Sequence, residues 1–449
     1  MFSSTLEAIQ PYILPVIYAV VIVAVLPLLA GYIVLLERKV MAHMQARMGP
    51  MRVGPHGLLQ PIADAVKLLL KEDIIPDQAD KLMFWLAPLA SVSMALLAYA
   101  ALPLGPSFQI ADLDVGLLFI LAISSLGIYG IVLGGWASNS HYSLLGALRS
   151  AAQLVSYETA AGLALVSGLL FGGSLSMKAL VEAQDQTGVW FVFVLPISFF
   201  IYMVASIAET NRAPFDLPEA ESELVAGYMT EYSGFRWSLY FLAEYANMIV
   251  VAGIATTLFL GGWLRPLASI HVHLPGTTIE ALDTLPVLIF LGLAAWCVKL
   301  ATRQAVPVQR LLMFAFVGLF VVLALVMAWA LVTPYMAGIH GGFWFIAKVL
   351  AYLYGFLWFR FTFPRYRFDQ LMRLGWQFLI PLSLVNLLTV AVGLVLHQEL
   401  GWWLLWTAIL SNGVTLVFAG WLLTESSANK NAAKTEDLQP SSAIGGDGR

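Results

Sequence analysis

Residues 191–260 of the sequence read FVFVLPISFFIYMVASIAETNRAPFDLPEAESELVAGYMTEYSGFRWSLYFLAEYANMIVVAGIATTLFL, and this stretch decides the fold. It consists of two apolar runs, near 189–208 and 237–260, on either side of a segment dense in carboxylates. Each run is long enough to cross the hydrocarbon core of a bilayer, which is about 30 Å thick and takes roughly 20 helical residues. The stretch therefore predicts two membrane-spanning helices joined by an acidic loop.

The rest of the chain has the same character. Of its 449 residues, 60% are hydrophobic and 11% are charged, whereas about 25% of the residues of a soluble globular protein are charged. Runs of spanning length lie near 12–36, 82–104, 115–137, 151–172, 189–208, 237–260, 283–300, 311–332, 343–363, 376–396 and 402–423. We therefore predict an all-α integral membrane protein, a multi-span helical bundle of about eleven transmembrane helices.

The composition also argues against several kinds of site. The single cysteine, Cys297, cannot form a disulfide or provide a cysteine-ligated iron–sulfur or zinc site from this chain alone. No Gly-Lys pair is present for a P-loop, and the one Gly-x-Gly lies at 446–448 in the polar tail, so a nucleotide site is not expected. His271 and His273 have no further ligands nearby in the sequence, which predicts no metal site. The net charge of −4 argues against a nucleic-acid partner.

Basic residues predict the orientation in the membrane. Lys and Arg cluster in the links after the first, third, fifth, seventh and ninth predicted spans and in the tail. The opposite loops carry only Lys178 and Arg265, while Lys348 falls inside a span. Because the loops rich in Lys and Arg are usually cytoplasmic, we predict an external N-terminus and a cytoplasmic C-terminus. The acidic loop then faces the cytoplasm as well.

The link between the first two spans predicts a helix of another kind. Residues 47–73 read RMGPMRVGPHGLLQPIADAVKLLLKED. Polar residues recur at helical spacing among apolar ones in its second half: Gln60, Asp64, Lys67 and Lys71. The pattern is typical of an amphipathic helix on the membrane surface. The Gly- and Pro-rich path before it also suits a helix that frames an opening for an amphiphile, and the pattern leaves both interpretations open.

Two carboxylates lie inside predicted spans. Four carboxylates of the acidic loop could simply compensate the positive end of a helix dipole. They are Asp216, Glu219, Glu221 and Glu223. Glu158 and Glu244, in contrast, lie about 12 to 14 Å into their spans at helical rise. A charge at the centre of a span costs about 2.5–3.5 kcal/mol on insertion scales, and such residues usually face a polar interior path. The pattern predicts a proton path, whereas Glu37, at the end of the first span, suits a simple interfacial charge.

Four stretches resemble the signature sequences of one family. They are GPMRVGPHGLLQPIADAVKLLLKED (49–73), ETNRAPFDLPEAESELVAGYMTEYSG (209–234), FLAEYANM (241–248) and FPRYRFDQLMRLGW (363–376). They look like those of the H subunit of proton-translocating NADH-quinone oxidoreductase, respiratory complex I, and the resemblance covers most of residues 12–264 and 343–396. It implies a subunit of a multisubunit enzyme in the bacterial cytoplasmic (inner) membrane, with other membrane subunits and a hydrophilic arm as partners.

The resemblance also implies a function and site residues. Such a subunit forms much of the chamber in which quinone, the substrate, is reduced, and the start of a carboxylate-lined proton path. It holds no flavin, iron–sulfur cluster or metal itself. Positions that match the family's proton path are Glu37, Glu158, Asp216, Glu219, Glu221, Glu223, Glu231 and Glu244. Positions that match the quinone entrance and the loops facing the arm are Arg38, Lys39, Arg47, Asp64 and Arg212.

The chain has more predicted helices than the family usually has. Residues 1–264 and 343–396 form the predicted membrane core, 265–342 look like an insertion with two transmembrane helices, 397–424 form an extra C-terminal helix, and 425–449 form a disordered cytoplasmic tail. Two inserted helices keep the Arg-rich segment 363–376 on the cytoplasmic side, as the charge rule requires.

Other functions fit parts of the pattern. The corresponding subunit of a membrane-bound hydrogenase or a ferredoxin-linked complex would share these features, because the electron donor binds elsewhere. A secondary ion transporter would also hold membrane carboxylates, but it should show an internal repeat, and no convincing one is evident. A structural anchor for a hydrophilic complex would need the acids only for assembly.

Overall fold

The computed structural model describes residues 2–106, 108–216, 225–266, 280–304, 306–333, 337–401 and 404–437, and their regular structure is helical. The first half of the chain contains α1 (Phe2–Met44), α2 (Gln60–Leu70), α3 (Lys81–Ala98), α4 (Gly116–Ala137), α5 (His141–Gly172), α6 (Met177–Thr187), α7 (Phe191–Val194), α8 (Pro196–Glu209) and α9 (Gly234–Phe259). The second half contains α10 (Leu285–Arg303), α11 (Pro307–Val332), α12 (Ala337–Thr362), α13 (Phe368–Arg373), a π-helical turn (Leu374–Leu379), α14 (Ile380–Leu400) and α15 (Leu404–Asp437).

Most predicted spans are single helices. In the described part of the chain, ten helices are long and apolar enough to cross a bilayer, which confirms the multi-span membrane bundle. The predicted span near 189–208 differs, because it is broken at Leu195 into α7 and α8. Pro196 begins α8, and a proline favours the start of a helix over its continuation. The 14 residues of α8 cover only about 21 Å, less than the thickness of the hydrocarbon core.

Helix α9 forms the centre of the bundle. In its most apolar window 78% of the residues are buried, more than in any other spanning helix of the described chain. Small residues allow its neighbours to approach closely. A side chain at Gly130 of α4 would lie 2.8 Å from the backbone nitrogen of Ser91 in α3, and one at Gly134 would collide with the hydroxyl of Tyr240 in α9. Glycine therefore lets α3 and α4 approach backbone to backbone at Gly130 and makes room for the Tyr240 side chain of α9 at Gly134.

Helices α10 and α11 form a hairpin that packs at the edge of the bundle against α12. They are the two helices predicted within 265–342. Only 17% of the residues in the apolar window of each are buried. Large side chains such as Leu311 and Leu325 are 71% and 64% exposed, so these faces are suited to contact with lipid.

The last helix, α15, packs against α14 and against the break between α7 and α8. The hydroxyl oxygens of Thr389 and Thr415 lie 3.0 Å apart. The side-chain amide of Asn412 donates to the carbonyl oxygen of Val194 at 2.9 Å. This contact satisfies a backbone acceptor at the end of α7, which would otherwise be costly inside a membrane.

Helix α15 also extends further than the sequence prediction. It continues to Asp437, so it replaces the predicted disorder over residues 425–437. That segment contains neither Gly nor Pro and includes several Ala, Lys and Glu residues, which favour helix. The rest of the predicted tail, 438–449, lies outside the described residues.

Candidate functional site

A cavity of about 440 Å³, the outer cavity, lies between α1, α2 and α9. Helix α2 is the predicted amphipathic helix, and none of its 11 residues is buried, so it lies along the surface of the bundle. Most of the lining is apolar and includes Pro27, Gly31, Leu35, Leu68, Phe241 and Leu242. A volume of about 300–1,000 Å³ with such a lining is typical of a small-molecule site.

A polar group joins α1 to α2 at this cavity. Arg38 Nη1 donates to Asp64 Oδ2 at 2.8 Å, and Gln60 Nε2 donates to the other carboxylate oxygen at 3.0 Å. The Arg38 and Asp64 side chains are 43% and 24% exposed. An ion pair with this exposure stabilises a protein by at most about 1 kcal/mol. The group therefore marks a polar side of the cavity and contributes little to holding α2 in place.

Three aromatic residues of α9, spaced four positions apart, lead from the outer cavity into the bundle. Trp237 and Phe241 line the cavity, and their ring centroids lie 5.1 Å apart. The Phe241 ring lies 4.7 Å from that of Tyr245. Residues four positions apart share one face of a helix, so the sequence spacing produces this aromatic ladder. At its inner end, the Tyr245 hydroxyl donates to Glu37 Oε2 at 2.7 Å.

Charged side chains continue the path as an ion network. Glu37 of α1 pairs with Arg360 of α12. The guanidinium carbon of Arg212 lies 4.3 Å from the centroid of the Tyr245 ring. Arg212 also pairs with Glu244 of α9, with 3.3 Å between Nη2 and Oε2. The network thus joins α1, α9, α12 and the start of the acidic loop.

Burial makes the charges of the ion network depend on one another. Glu37 and Arg212 are only 6% and 7% exposed. Glu244 accepts a second hydrogen bond, from the Tyr228 hydroxyl at 3.1 Å. Removing one partner of a buried ion pair costs about 3–5 kcal/mol, because the other charge is left uncompensated. The network can therefore hold charge within an apolar bundle only while its members remain paired.

A second cavity, the inner cavity, lies beyond the ion network. Its volume is about 60 Å³, and its lining includes the carboxylates Glu158, Glu209 and Glu244. One water molecule needs about 10–15 Å³, so the inner cavity has room for more than one. Glu158 of α5 also accepts a hydrogen bond from the Ser125 hydroxyl of α4. The bundle thus encloses a small polar space in which carboxylates and water can meet.

The first part of the acidic loop is held in place from two sides. The amide of Gln153 in α5 donates to the carbonyl oxygens of Ala208 and Phe215, both at 2.8 Å. Arg365, which follows α12, donates to Asp216 Oδ2 at 2.8 Å. These contacts fix the loop between α5 and the Arg-rich segment 363–376.

The predicted acids divide into groups. Glu37 and Glu244 belong to the ion network, and Glu158 lines the inner cavity. Asp216 and Glu231 line neither cavity; Glu231 is partly buried shortly before α9. Outside the described residues lie Glu219, Glu221 and Glu223.

The predicted basic and entrance residues divide as well. Arg38 and Asp64 line the outer cavity, whereas Arg212 lies in the ion network. Lys39 and Arg47 line neither cavity. Arg47 is exposed because α1 ends at Met44, and its Nε donates to its neighbour Gln45 at 2.8 Å. Both therefore lie outside the cavity wall, and a role at the hydrophilic arm stays a prediction for them.

Four members of the site were missed by sequence reasoning. Glu209 reads as an acid of the loop, but the structure places it at the end of α8 and in the lining of the inner cavity. The position of Arg360 could have indicated its role, because it is a charged residue at the end of a predicted span. Tyr228, in the acidic loop, and Tyr245, in an apolar run, had no such signal, because only the tertiary fold brings their hydroxyl groups to a carboxylate.

No group of three His, Cys, Asp or Glu residues within the described part of the chain is arranged to hold a metal ion. His271 and His273 lie outside that part. The carboxylates of the ion network contact Arg and Tyr side chains instead.

A family model described as NADH dehydrogenase matches residues 16–391. The chain belongs to this family. An H subunit of NADH-quinone oxidoreductase from Solibacter usitatus is 53% identical over 388 residues, which cover 85% of this chain and 97% of that protein. An H subunit from Koribacter versatilis is 50% identical, with 85% and 92% covered. A third, from Rickettsia typhi, is 43% identical, with 86% and 96% covered.

Membership of the NADH dehydrogenase family confirms the resemblance drawn from the four signature stretches. The matched range contains α2, the acidic loop and α9, and so it contains both cavities and the ion network. It ends at residue 391, before α15 begins.

Proposed function

We propose that this chain is the H subunit of a bacterial NADH-quinone oxidoreductase. In this proposal it forms the membrane part of the quinone chamber and the first section of a proton path. The family membership and the names of the relatives support the choice of enzyme. The observation that carries the site is the outer cavity, which the aromatic ladder joins to a buried ion network.

The outer cavity takes the quinone from the bilayer. Its apolar lining suits an isoprenoid tail, and Arg38 and Asp64 provide a polar side for the headgroup as it passes. The electrons come from a partner subunit, because a single cysteine cannot hold an iron–sulfur cluster. The chain therefore contributes binding, orientation and charge to the reduction.

Quinone reduction consumes two electrons and two protons, and the headgroup carries negative charge until the protons arrive. Negative charge near the ion network competes with Glu37 and Glu244 for Arg360 and Arg212. A carboxylate that loses its cationic partner binds a proton more readily. Protons then pass through the inner cavity towards Glu158, so that the arrival of electrons is coupled to the movement of protons across the membrane.

Contacts between distant links support the predicted orientation. Glu37 pairs with Arg360, Asp216 pairs with Arg365, and the Gln304 amide lies 3.4 Å from His56 Nε2. These contacts join links that the distribution of basic residues assigns to one side of the membrane. We take this side to be cytoplasmic and the N-terminus to be external.

A cavity-filling substitution tests the proposed quinone chamber. Ala65 lines the outer cavity, so Ala65→Trp reduces the space for the tail. Ala63 is on the same helix and exposed but does not line the cavity, which makes Ala63→Trp a matched control. In the assembled complex we expect a higher KM for quinone with Ala65→Trp alone, and unchanged NADH oxidation with ferricyanide, an acceptor that does not need the chamber. Equal quinone kinetics for the two variants would contradict the proposal.

A further inference from the structure

The hairpin of α10 and α11 contacts the segment that leads into α2. Leu58, two residues before α2, packs in one apolar cluster with Cys297 and Ala301 of α10 and Met313 of α11. Ala301 and Met313 are 0% and 2% exposed. The hairpin, which otherwise presents apolar side chains to its surroundings, is therefore anchored next to a wall of the outer cavity.

The segment before α2 has a tightly defined path. Gly54, His56 and Gly57 have positive φ angles of 72°, 53° and 77°. A side chain at Gly57 would lie 2.8 Å from the carbonyl carbon of Pro50, so only glycine fits there. The Gln304 amide, in the link between α10 and α11, lies 3.4 Å from the ring of His56. If the hairpin moved, this segment and the start of α2 would therefore move with it.

Helix α2 has little packing of its own to resist such a shift. None of its residues is buried, and its ion pair to Arg38 is partly exposed. In contrast, Pro55 and Gly57, just before the helix, are buried. The position of α2 relative to α1 and α9 therefore depends on the segment that precedes it.

We propose that the α10–α11 hairpin is a positioning element that braces Leu58, sets the width of the outer cavity and so governs the access of long-tailed quinones. This inference rests on the proposed function of the outer cavity. A long tail must occupy the space between α1, α2 and α9 while the headgroup reacts beyond it. A short-tailed quinone leaves much of that space unused, so a displaced α2 affects it less.

Two substitutions on α11 test the bracing. Met313→Ala removes a buried side chain from the cluster with Leu58 and changes no residue of the outer cavity. Leu311→Ala, two positions away and 71% exposed, is the matched control. Both are assayed in the intact complex in proteoliposomes, with a long-tailed and a short-tailed isoprenoid quinone.

For Met313→Ala we expect KM for the long-tailed quinone to rise about threefold to tenfold at unchanged kcat, because only uniform binding is lost. KM for the short-tailed quinone and both constants of Leu311→Ala should stay at wild-type values. Met313→Leu, which keeps the volume, should restore KM. A merely structural role would lower kcat or the amount of complex for both quinones alike.

The inference is overturned if Met313→Ala behaves like Leu311→Ala with both quinones, or if it lowers kcat equally with both. The Ala65→Trp variant separates the two proposals. If Ala65→Trp raises KM and Met313→Ala does not, the hairpin inference alone fails. If Ala65→Trp also leaves KM unchanged, the outer cavity is not the quinone entrance.

Discussion

The ion network and the inner cavity hold carboxylates in different ways. In the ion network, Glu37 and Glu244 are paired with arginines. In the inner cavity, Glu158 accepts a hydrogen bond from a serine hydroxyl and lies close to a second carboxylate, Glu209. The carboxylates of the ion network are thus held by cations, whereas Glu158 has a hydroxyl group and another carboxylate as its neighbours. In the proposed function, the ion pairs keep the charges of the network in place until quinone is reduced, and protons are exchanged in the inner cavity.

The largest expected effect comes from breaking the ion network. Arg212→Ala leaves Glu244 without its cation, which corresponds to a loss of about 3–5 kcal/mol. We expect the equilibrium constant for assembly to fall by more than about 100-fold, since each 1.4 kcal/mol is a factor of about ten, and less assembled complex to be recovered on native gels. Arg373→Ala, at an exposed arginine, is the control.

The double variant Arg212→Ala/Glu244→Gln sharpens this comparison. It removes both charges, so it should assemble better than Arg212→Ala alone. If Arg212→Ala assembles as well as Arg373→Ala, the ion pair between Arg212 and Glu244 does not stabilise the complex as expected.

Substitutions in the inner cavity should affect proton movement and leave assembly intact. Glu158→Gln keeps the shape of the side chain and removes the exchangeable proton. We expect proton translocation in proteoliposomes, followed with a pH-sensitive dye, to fall about tenfold or more, within the range for loss of a general acid or base. Glu209→Gln should behave alike, while Glu182→Gln, at an exposed position of α6, is the control.

Glu244 belongs to both the ion network and the inner cavity. Glu244→Gln should therefore affect both assembly and proton translocation. It removes a carboxylate from the inner cavity and also the ion pair between Glu244 and Arg212, so assembly falls as well as proton translocation. Normal assembly together with wild-type proton translocation and quinone reduction in both Glu158→Gln and Glu244→Gln would rule out the relay.

The smallest expected effect comes from single hydroxyl groups. Tyr245→Phe keeps the aromatic ladder and removes the hydrogen bond to Glu37. Tyr99→Phe is the matched control, because its buried hydroxyl donates to the neutral carbonyl of Ala246 at 2.8 Å. Hydrogen bonds to charged groups contribute about 1.5–3 kcal/mol and neutral ones about 0.5–1.5 kcal/mol. The thermal midpoint of the complex should therefore fall further for Tyr245→Phe. An equal fall would mean that the hydrogen bond to Glu37 is no stronger than one to a neutral carbonyl.

The sequence predicts the spans and the intramembrane acids well, because both follow from the cost of placing polar groups in a bilayer. Glu158 and Glu244 were found on that ground alone. The break at Leu195 was missed, since the run near 189–208 is apolar throughout and Pro196 is its only local signal.

Contacts between distant parts of the chain could not be predicted from spacing. The hydrogen bond from Tyr245 to Glu37 joins positions 208 residues apart. The contact between Gln304 and His56 spans 248 residues. Such contacts depend on how the helices pack against one another. The hydrophobic periodicity and the charge distribution of the sequence do not determine that packing.

The hydrogen bond from Asn412 to Val194 has a consequence for the order of biogenesis. Asn412 is translated more than 200 residues after Val194. The carbonyl oxygen of Val194 therefore gains this donor only after α15 has been synthesised. A chain that stops before α15 would leave this carbonyl without its amide, so the break between α7 and α8 can reach its final packing only after α15 has been made.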